Sequence, residues 1–185
     1  MTYANQLTIL RMAFVPVFVL LLVYQHVLGA IVVFLLAGLT DALDGLIARK
    51  FDQKTPLGTM LDPVADKLLL VSSFIVLSLD SIHLRVRIPL WLTITAVGRD
   101  CVLVVGALII NLMLGRRSFL PSILGKATTL FQLLTVFAVL MSNFTALVDP
   151  VVQPLVYITL GLTVASGLHY LARSTRVFED DKEAQ

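Results

Sequence analysis

"GLTDALDGLIARK", residues Gly38–Lys50, follows directly on the apolar run Ala30–Ala37. Two aspartates, Asp41 and Asp44, therefore fall where a helix is still inside a membrane-like stretch of sequence. The chain around them has 185 residues, of which 58% are hydrophobic and 14% charged, with a mean hydropathy of +0.93. Soluble domains carry about 25% charged residues. The apolar runs are too long for one globular core and approach the roughly 20 residues that a helix needs to cross a bilayer. The fold class predicted is all-α: a polytopic membrane protein, one domain over residues 1–185, with a short solvated tail from about residue 174.

Six transmembrane helices fit, at Leu7–Leu28, Ala30–Arg49, Leu57–Leu79, Ile88–Leu114, Ser122–Asn143 and Val151–Arg173. Turn-forming and charged stretches separate them at Lys50–Pro56, Asp80–Arg87, Gly115–Pro121 and Asp149–Pro150. Between the first two spans only Gly29 is left to turn the chain. Basic residues set the orientation. With both termini cytoplasmic, twelve of the fourteen Lys and Arg lie on or lean toward the cytoplasmic side, and only Arg85 and Arg87 oppose it. The expected location is the inner (cytoplasmic) membrane. The N-terminal segment lacks a basic n-region and a small-x-small cleavage site, so it reads as the first span and not as a signal peptide. A net charge of +2 gives no reason to expect nucleic acid. The single cysteine, Cys101, excludes an intrachain disulfide and a thiolate metal site, and is expected to be a packing residue.

Asp41 and Asp44 are three apart and share a face of the second span. After "KFDQKTP" the chain returns as "LGTMLDPVADKLLL", in which Gly58, Asp62 and Asp66 step by four along one stripe of the third span. A short connection makes these two spans antiparallel neighbours, with both pairs of acids below the same membrane surface. Four carboxylates converging on one small volume cannot all stay ionised without cations, because each raises the pKa of the others. Divalent metal answers that need. An all-oxygen donor set with no His or Cys in reach favours Mg²⁺, Mn²⁺ or Ca²⁺ over zinc or copper, and four carboxylates suit two ions. Gly45 and Gly58 allow close backbone approach to a ligand or a neighbouring helix. Arg49 has the fork geometry to bind a diphosphate.

Taken together, Asp41, Asp44, Gly45, Ala48, Arg49, Gly58, Asp62 and Asp66 resemble the signature of the CDP-alcohol phosphatidyltransferase family, D-x2-D-G-x2-A-R-x8-G-x3-D-x3-D, with every spacing met. The resemblance implies transfer of a phosphatidyl group from CDP-diacylglycerol to an alcohol, with release of CMP. It implies that Asp41, Asp44 and Asp62 hold metal, with Asp66 beside it as the proposed catalytic base. It implies that Gly45, Ala48, Arg49 and Gly58 line the nucleotide and diphosphate site, and that the protein is a homodimer. Asn5, Thr8 and Arg11 form an N-x2-T-x2-R stripe on the first span, similar to the family's first helix, where it faces the nucleotide. A substrate with its tail in lipid and its CDP head in water would place the metal-binding acids just below the cytoplasmic surface, in a cavity open to both phases. Polar groups are tolerated at that depth when they line such a cavity.

Arg99 lies deep in the fourth span beside Asp100. Neighbours on a helix point about 100° apart, so the two are not expected simply to neutralise each other. An intramembrane Arg is costly and usually functional. With Arg116, Arg117 and Lys126 it would make a basic pocket for an anionic acceptor. Asn111, Thr128, Thr129 and Gln132 read as interhelical hydrogen-bonding residues. "LDPVADKLL" and "NQLTILR" are similar to glycerophosphate phosphatidyltransferases, whose acceptor is glycerol 3-phosphate. "VGRDCVLVVGALI" and "LPSILGKATTLFQL" are similar to the cardiolipin synthases of the same family, whose acceptor is phosphatidylglycerol. Two readings from other classes are a cation-coupled transporter and a catalytically silent lipid-binding relative. A transporter would place its acids at the midplane of related repeats, and no repeat is present. A silent relative would lack a signature aspartate, and none is missing.

Overall fold

The computed structural model describes the backbone of residues 3–51, 56–114 and 123–183, and the side chains of residues 9–40, 67–106 and 123–172. Six α-helices follow one another: α1 Tyr3–Val23, α2 Val27–Phe51, α3 Pro56–Ser78, α4 Leu90–Leu114, α5 Ile123–Phe144 and α6 Asp149–Glu183. One 3-10 turn, Ala146–Val148, precedes α6, and there is no strand among the described residues. Each helix overlaps one expected span. Among the described residues two segments, Ile123–Phe144 and Ala146–Ala172, are long and apolar enough to cross a membrane, with mean hydropathies of 1.7 and 1.6.

One expectation is corrected. The chain does not turn at Gly29, which lies inside α2. It turns at Tyr24–His26, where Gln25 takes a left-handed φ of 63°. The Gln25 N–H bonds the Leu22 carbonyl at 3.0 Å and the His26 N–H bonds the Leu21 carbonyl at 2.7 Å. This is the paired closure that ends many helices, with glutamine where glycine is usual. Gly29 serves packing instead, since a Cβ there would meet Leu21 Cδ2 at 3.2 Å. Beyond residue 174 the backbone continues α6 as helix to Glu183.

The chain forms two compact units, Met1–Ile88 with Val136–Asp149, and Pro89–Thr135 with Pro150–Gln185. In the first, α1 packs on both α2 and α3. Phe18 and Leu22 of α1, Ala30, Phe34 and Ala37 of α2, and Leu70, Phe74 and Leu77 of α3 are buried. The α2 and α3 sets each step by four and then three, the spacing of one helix face. The Phe18 and Phe34 rings meet at 6.0 Å, tilted by 41°, within the range in which aromatic pairs attract.

The residues after α3 are tied to the end of α5 within the same unit. The Arg85 guanidinium forks the Asp149 carboxylate, Nη1 to Oδ2 at 2.6 Å and Nη2 to Oδ1 at 2.8 Å. Nη2 also donates to the Ser142 carbonyl, and the Ser142 hydroxyl donates to Asp149. The Asn143 amide accepts from the Val86 N–H at 3.1 Å and donates to the Val86 carbonyl at 2.7 Å. Arg87 pairs with Asp80. Both arginines that oppose the charge rule are thus matched by acids. Exposed ion pairs contribute little singly, but here one aspartate is shared by an arginine and a serine, and an amide grips the adjoining backbone.

The second unit places polar groups inside and apolar groups outside. Thr128, Gln132 and Thr135 of α5 and Thr159, Thr163 and Ser166 of α6 are all buried, each set stepping by four and then three. Ile94, Val104 and Leu168 are more than 60% exposed. In lipid an exposed apolar side chain costs nothing, while interhelical polar pairs hold helices together. The Thr135 and Thr159 hydroxyls lie 2.8 Å apart, and the Thr128 hydroxyl reaches the Leu162 carbonyl at 3.1 Å. Near the start of α4 and α6, Trp91 and Tyr157 stack with centroids 6.2 Å apart, both partly exposed as interfacial aromatics are.

Two outcomes follow in detergent-purified protein. Gln25→Gly removes the side-chain penalty of the left-handed conformation and raises thermal stability by about 1 kcal/mol; an unchanged or lower melting temperature contradicts this. Arg85→Gln and Asp149→Asn each lower the melting temperature, and the double variant falls no further than the worse single one. Additive losses would show that the two residues act independently.

Candidate active site

All eight signature positions lie on α2 and α3, within the first compact unit. Both helices run unbroken through them, α2 to Phe51 and α3 from Pro56. The buried positions of α2 include 30, 34 and 37, and helical spacing carries that line on to 41 and 44. On α3 the buried positions include 77, 74 and 70, and steps of four continue to 66, 62 and 58. The side chains of Asp41, Asp44, Gly45, Ala48, Arg49, Gly58, Asp62 and Asp66 lie outside the described residues. The backbone places 41 and 44 about 4.5 Å apart along the helix axis, and 62 and 66 about 6 Å apart.

On α1, Asn5 and Thr8 have helical backbone, and their side chains lie outside the described residues. Arg11 is described and is 1% exposed. An interfacial anchor would keep its guanidinium in water, so burial this complete sets Arg11 apart from that role. It stands seven residues before Phe18, on the face of α1 that supplies the core.

The second unit holds the residues expected to meet the acceptor. Arg99 is buried, with 7% of its side chain exposed. Its Nη1 donates to Asp100 Oδ1 at 2.7 Å and its Nη2 to Ser166 Oγ at 2.5 Å. The expectation that Arg99 and Asp100 do not neutralise each other is thus corrected. The long arginine side chain folds back around the helix and forms an ion pair despite the 100° offset. Lys126 on α5 is exposed, and Arg116 and Arg117 lie outside the described residues. Asn111 has helical backbone, with its side chain outside them as well. Cys101, one residue past the buried Asp100, is exposed instead of packed. Gly106 marks a close approach of α4 to α6, for a Cβ there would lie 3.0 Å from the Tyr170 ring. The Tyr170 hydroxyl also donates to the Leu103 carbonyl at 3.3 Å.

Thr128 and Gln132 are buried as expected of interhelical residues, and Thr129 bonds its own helix at the Gly125 carbonyl, 3.1 Å away. Thr135, Thr159, Thr163 and Ser166 were not singled out by sequence reasoning. Their signal was present, because 128, 132, 135 and 159, 163, 166 repeat the same spacing on successive helices.

Comparison with known proteins adds to this geometry. Residues 1–165 match the CDP-alcohol phosphatidyltransferase family. The chain is 34% identical over 182 residues to the probable phosphatidylglycerophosphate synthase of Mycobacterium tuberculosis, covering 94% of this chain and 81% of that protein. It is 34% identical over 145 residues to the CDP-diacylglycerol--glycerol-3-phosphate 3-phosphatidyltransferase of Aquifex aeolicus, covering 77% and 78%. It is 35% identical over 150 residues to the CMP-forming cardiolipin synthase of Streptomyces coelicolor, covering 76% and 65%. The chain belongs to the CDP-alcohol phosphatidyltransferase family.

Proposed function

We propose that this chain is an integral-membrane enzyme that moves the phosphatidyl group of CDP-diacylglycerol to glycerol 3-phosphate, forming phosphatidylglycerophosphate and releasing CMP. The observation that carries this reading is the complete signature, carried on two helices that run unbroken through it. Asp41, Asp44 and Asp62, with Asp66, supply an all-carboxylate donor set suited to two Mg²⁺ or Mn²⁺ ions. When bound, the ions would polarise the diphosphate and stabilise the charge that develops on departing CMP. Gly45, Gly58 and Ala48 allow close approach of the nucleotide, and Arg49 pairs with the diphosphate. Asn5, Thr8 and Arg11 line the nucleotide from α1, in keeping with the burial of Arg11.

In this mechanism Asp66 accepts the proton of the acceptor's primary hydroxyl. The hydroxyl oxygen then forms a bond to the lipid-linked phosphorus, and the bond from that phosphorus to the CMP oxygen breaks. Arg99 binds the phosphate of the acceptor, with Arg116, Arg117 and Lys126 adding positive charge. The site opens toward the cytoplasm from the inner membrane, all six helices span, both termini are cytoplasmic, and the enzyme works as a homodimer. Pairing of Arg85 with Asp149 and of Arg87 with Asp80 supports that orientation, since the two exceptions to the charge rule carry their own counter-ions. A second reading, a cardiolipin synthase with phosphatidylglycerol as acceptor, draws on the similarity to the Streptomyces coelicolor protein. It also draws on Arg99-Asp100, where many phosphatidylglycerophosphate synthases carry Arg-Glu.

Purified protein given CDP-diacylglycerol and Mg²⁺ is expected to release CMP with glycerol 3-phosphate and to stop when chelator is added. Release with phosphatidylglycerol alone would select the second reading, and release with neither would remove the enzyme. Asp66→Asn is expected to lose at least a hundredfold in kcat with an unchanged melting temperature, the range a general base contributes being about 10²–10⁴. Near-normal turnover would remove Asp66 as base. Arg99→Ala is expected to raise the acceptor KM more than the KM for CDP-diacylglycerol; the opposite pattern would assign Arg99 to the nucleotide.

A further inference from the structure

Arg99 is held by its neighbours with one edge left open. Nη1 and Nη2 are bonded to Asp100 and Ser166, while the Nε–H is buried and has no partner. Ser166 is 2% exposed. Its oxygen accepts from Arg99, which leaves its own proton to give. A buried serine or threonine in a helix commonly returns that proton to the carbonyl four residues back. Thr128, Thr135 and Thr163 do so here, at 2.7, 2.8 and 2.7 Å. Ser166 does not: its oxygen takes the Arg99 Nη2–H instead, and its hydroxyl forms no bond to the Leu162 carbonyl. Among the described residues nothing accepts the Ser166 proton.

Two buried donors without acceptors therefore sit side by side, one of them on a fixed cation. A buried donor left unmade is expensive, and a ligand that presents two acceptor oxygens would match the pair. We propose that Ser166 is a binding residue for the acceptor's phosphate. Its hydroxyl donates to one phosphate oxygen while the Arg99 Nε–H donates to another, and its oxygen holds the guanidinium in the orientation that makes this possible. The inference rests on the assignment of Arg99 to the acceptor. It adds Ser166 of α6 to the residues that meet the acceptor and calls for an anion with two acceptor oxygens, which the phosphate of the proposed acceptor supplies.

The test is equilibrium binding of glycerol 3-phosphate, without CDP-diacylglycerol, followed by thermal stabilisation of the full chain in detergent. Wild type is expected to be stabilised, and Ser166→Ala to need about tenfold more ligand, as loss of one hydrogen bond to a charged group implies. Ser166→Thr keeps the hydroxyl and is expected to stay within about twofold of wild type. Gly167→Ala is the control, because its added methyl meets the Arg99 stem at an ordinary 3.6 Å and brings no donor. Stabilisation by phosphatidylglycerol micelles, and not by soluble glycerol 3-phosphate, would uphold the site with a lipid headgroup as its ligand, provided Ser166→Ala weakens it. Equal binding by wild type and Ser166→Ala, or no stabilisation of wild type by either ligand, overturns the proposal. Binding that depends on Ser166 without CMP release would sink the enzymatic reading and leave the site. Turnover with glycerol 3-phosphate and an unmoved Ser166→Ala would do the reverse.

Discussion

Within a bilayer there is no water to satisfy a polar group, so each one inside must find its partner in protein or in a ligand. The rest of this structure follows from that constraint. The backbone meets it by forming six helices. The side chains meet it by turning inward: threonines, a glutamine and a serine are buried between α5 and α6, while isoleucine, valine and leucine face outward. A soluble core would invert this arrangement. Helix association that uses polar pairs and small residues in place of a hydrophobic core is what lipid as solvent requires.

The same constraint separates structural from functional polar groups. The buried hydroxyls of Ser73, Thr128, Thr135 and Thr163 close on a carbonyl of their own helix, and so add contact without adding demand. Arg99 and Ser166 do not close in this way, and the four signature acids outnumber any cation in their own stretch of sequence. Groups that the protein cannot satisfy by itself are where a ligand completes the structure. On the proposed function that ligand would be metal and diphosphate for the acids, and the acceptor's phosphate for Arg99 and Ser166, so that the two halves of one group-transfer reaction would fall to distinct sets of residues.

Much of this was legible in the sequence. Hydropathy located the helices because lipid leaves no alternative to an apolar helix. The signature was legible because its spacings are those of a helix face and because eight fixed residues over one stretch admit few accidents. Boundaries were less legible. Gln25 in a left-handed conformation carries no glycine signal, so the first turn was misplaced at Gly29. The tail beyond residue 174 is charged and carries good helix formers, Glu, Lys and Ala, and α6 continues through it to Glu183. Ser166 was missed because a serine in an apolar run has an ordinary role most of the time. Only the Arg99 bond sets it apart, and that cannot be seen before the helices are packed.

The central claim is that the acids of α2 and α3 are kept at the membrane because they hold divalent metal. Electron paramagnetic resonance of Mn²⁺ titrated into detergent-purified protein at neutral pH tests it without reference to turnover. The account predicts saturable binding by wild type, weakened at least tenfold by Asp44→Asn or Asp62→Asn with the fold intact by circular dichroism. Binding that is absent from wild type, or indifferent to both substitutions, would contradict it.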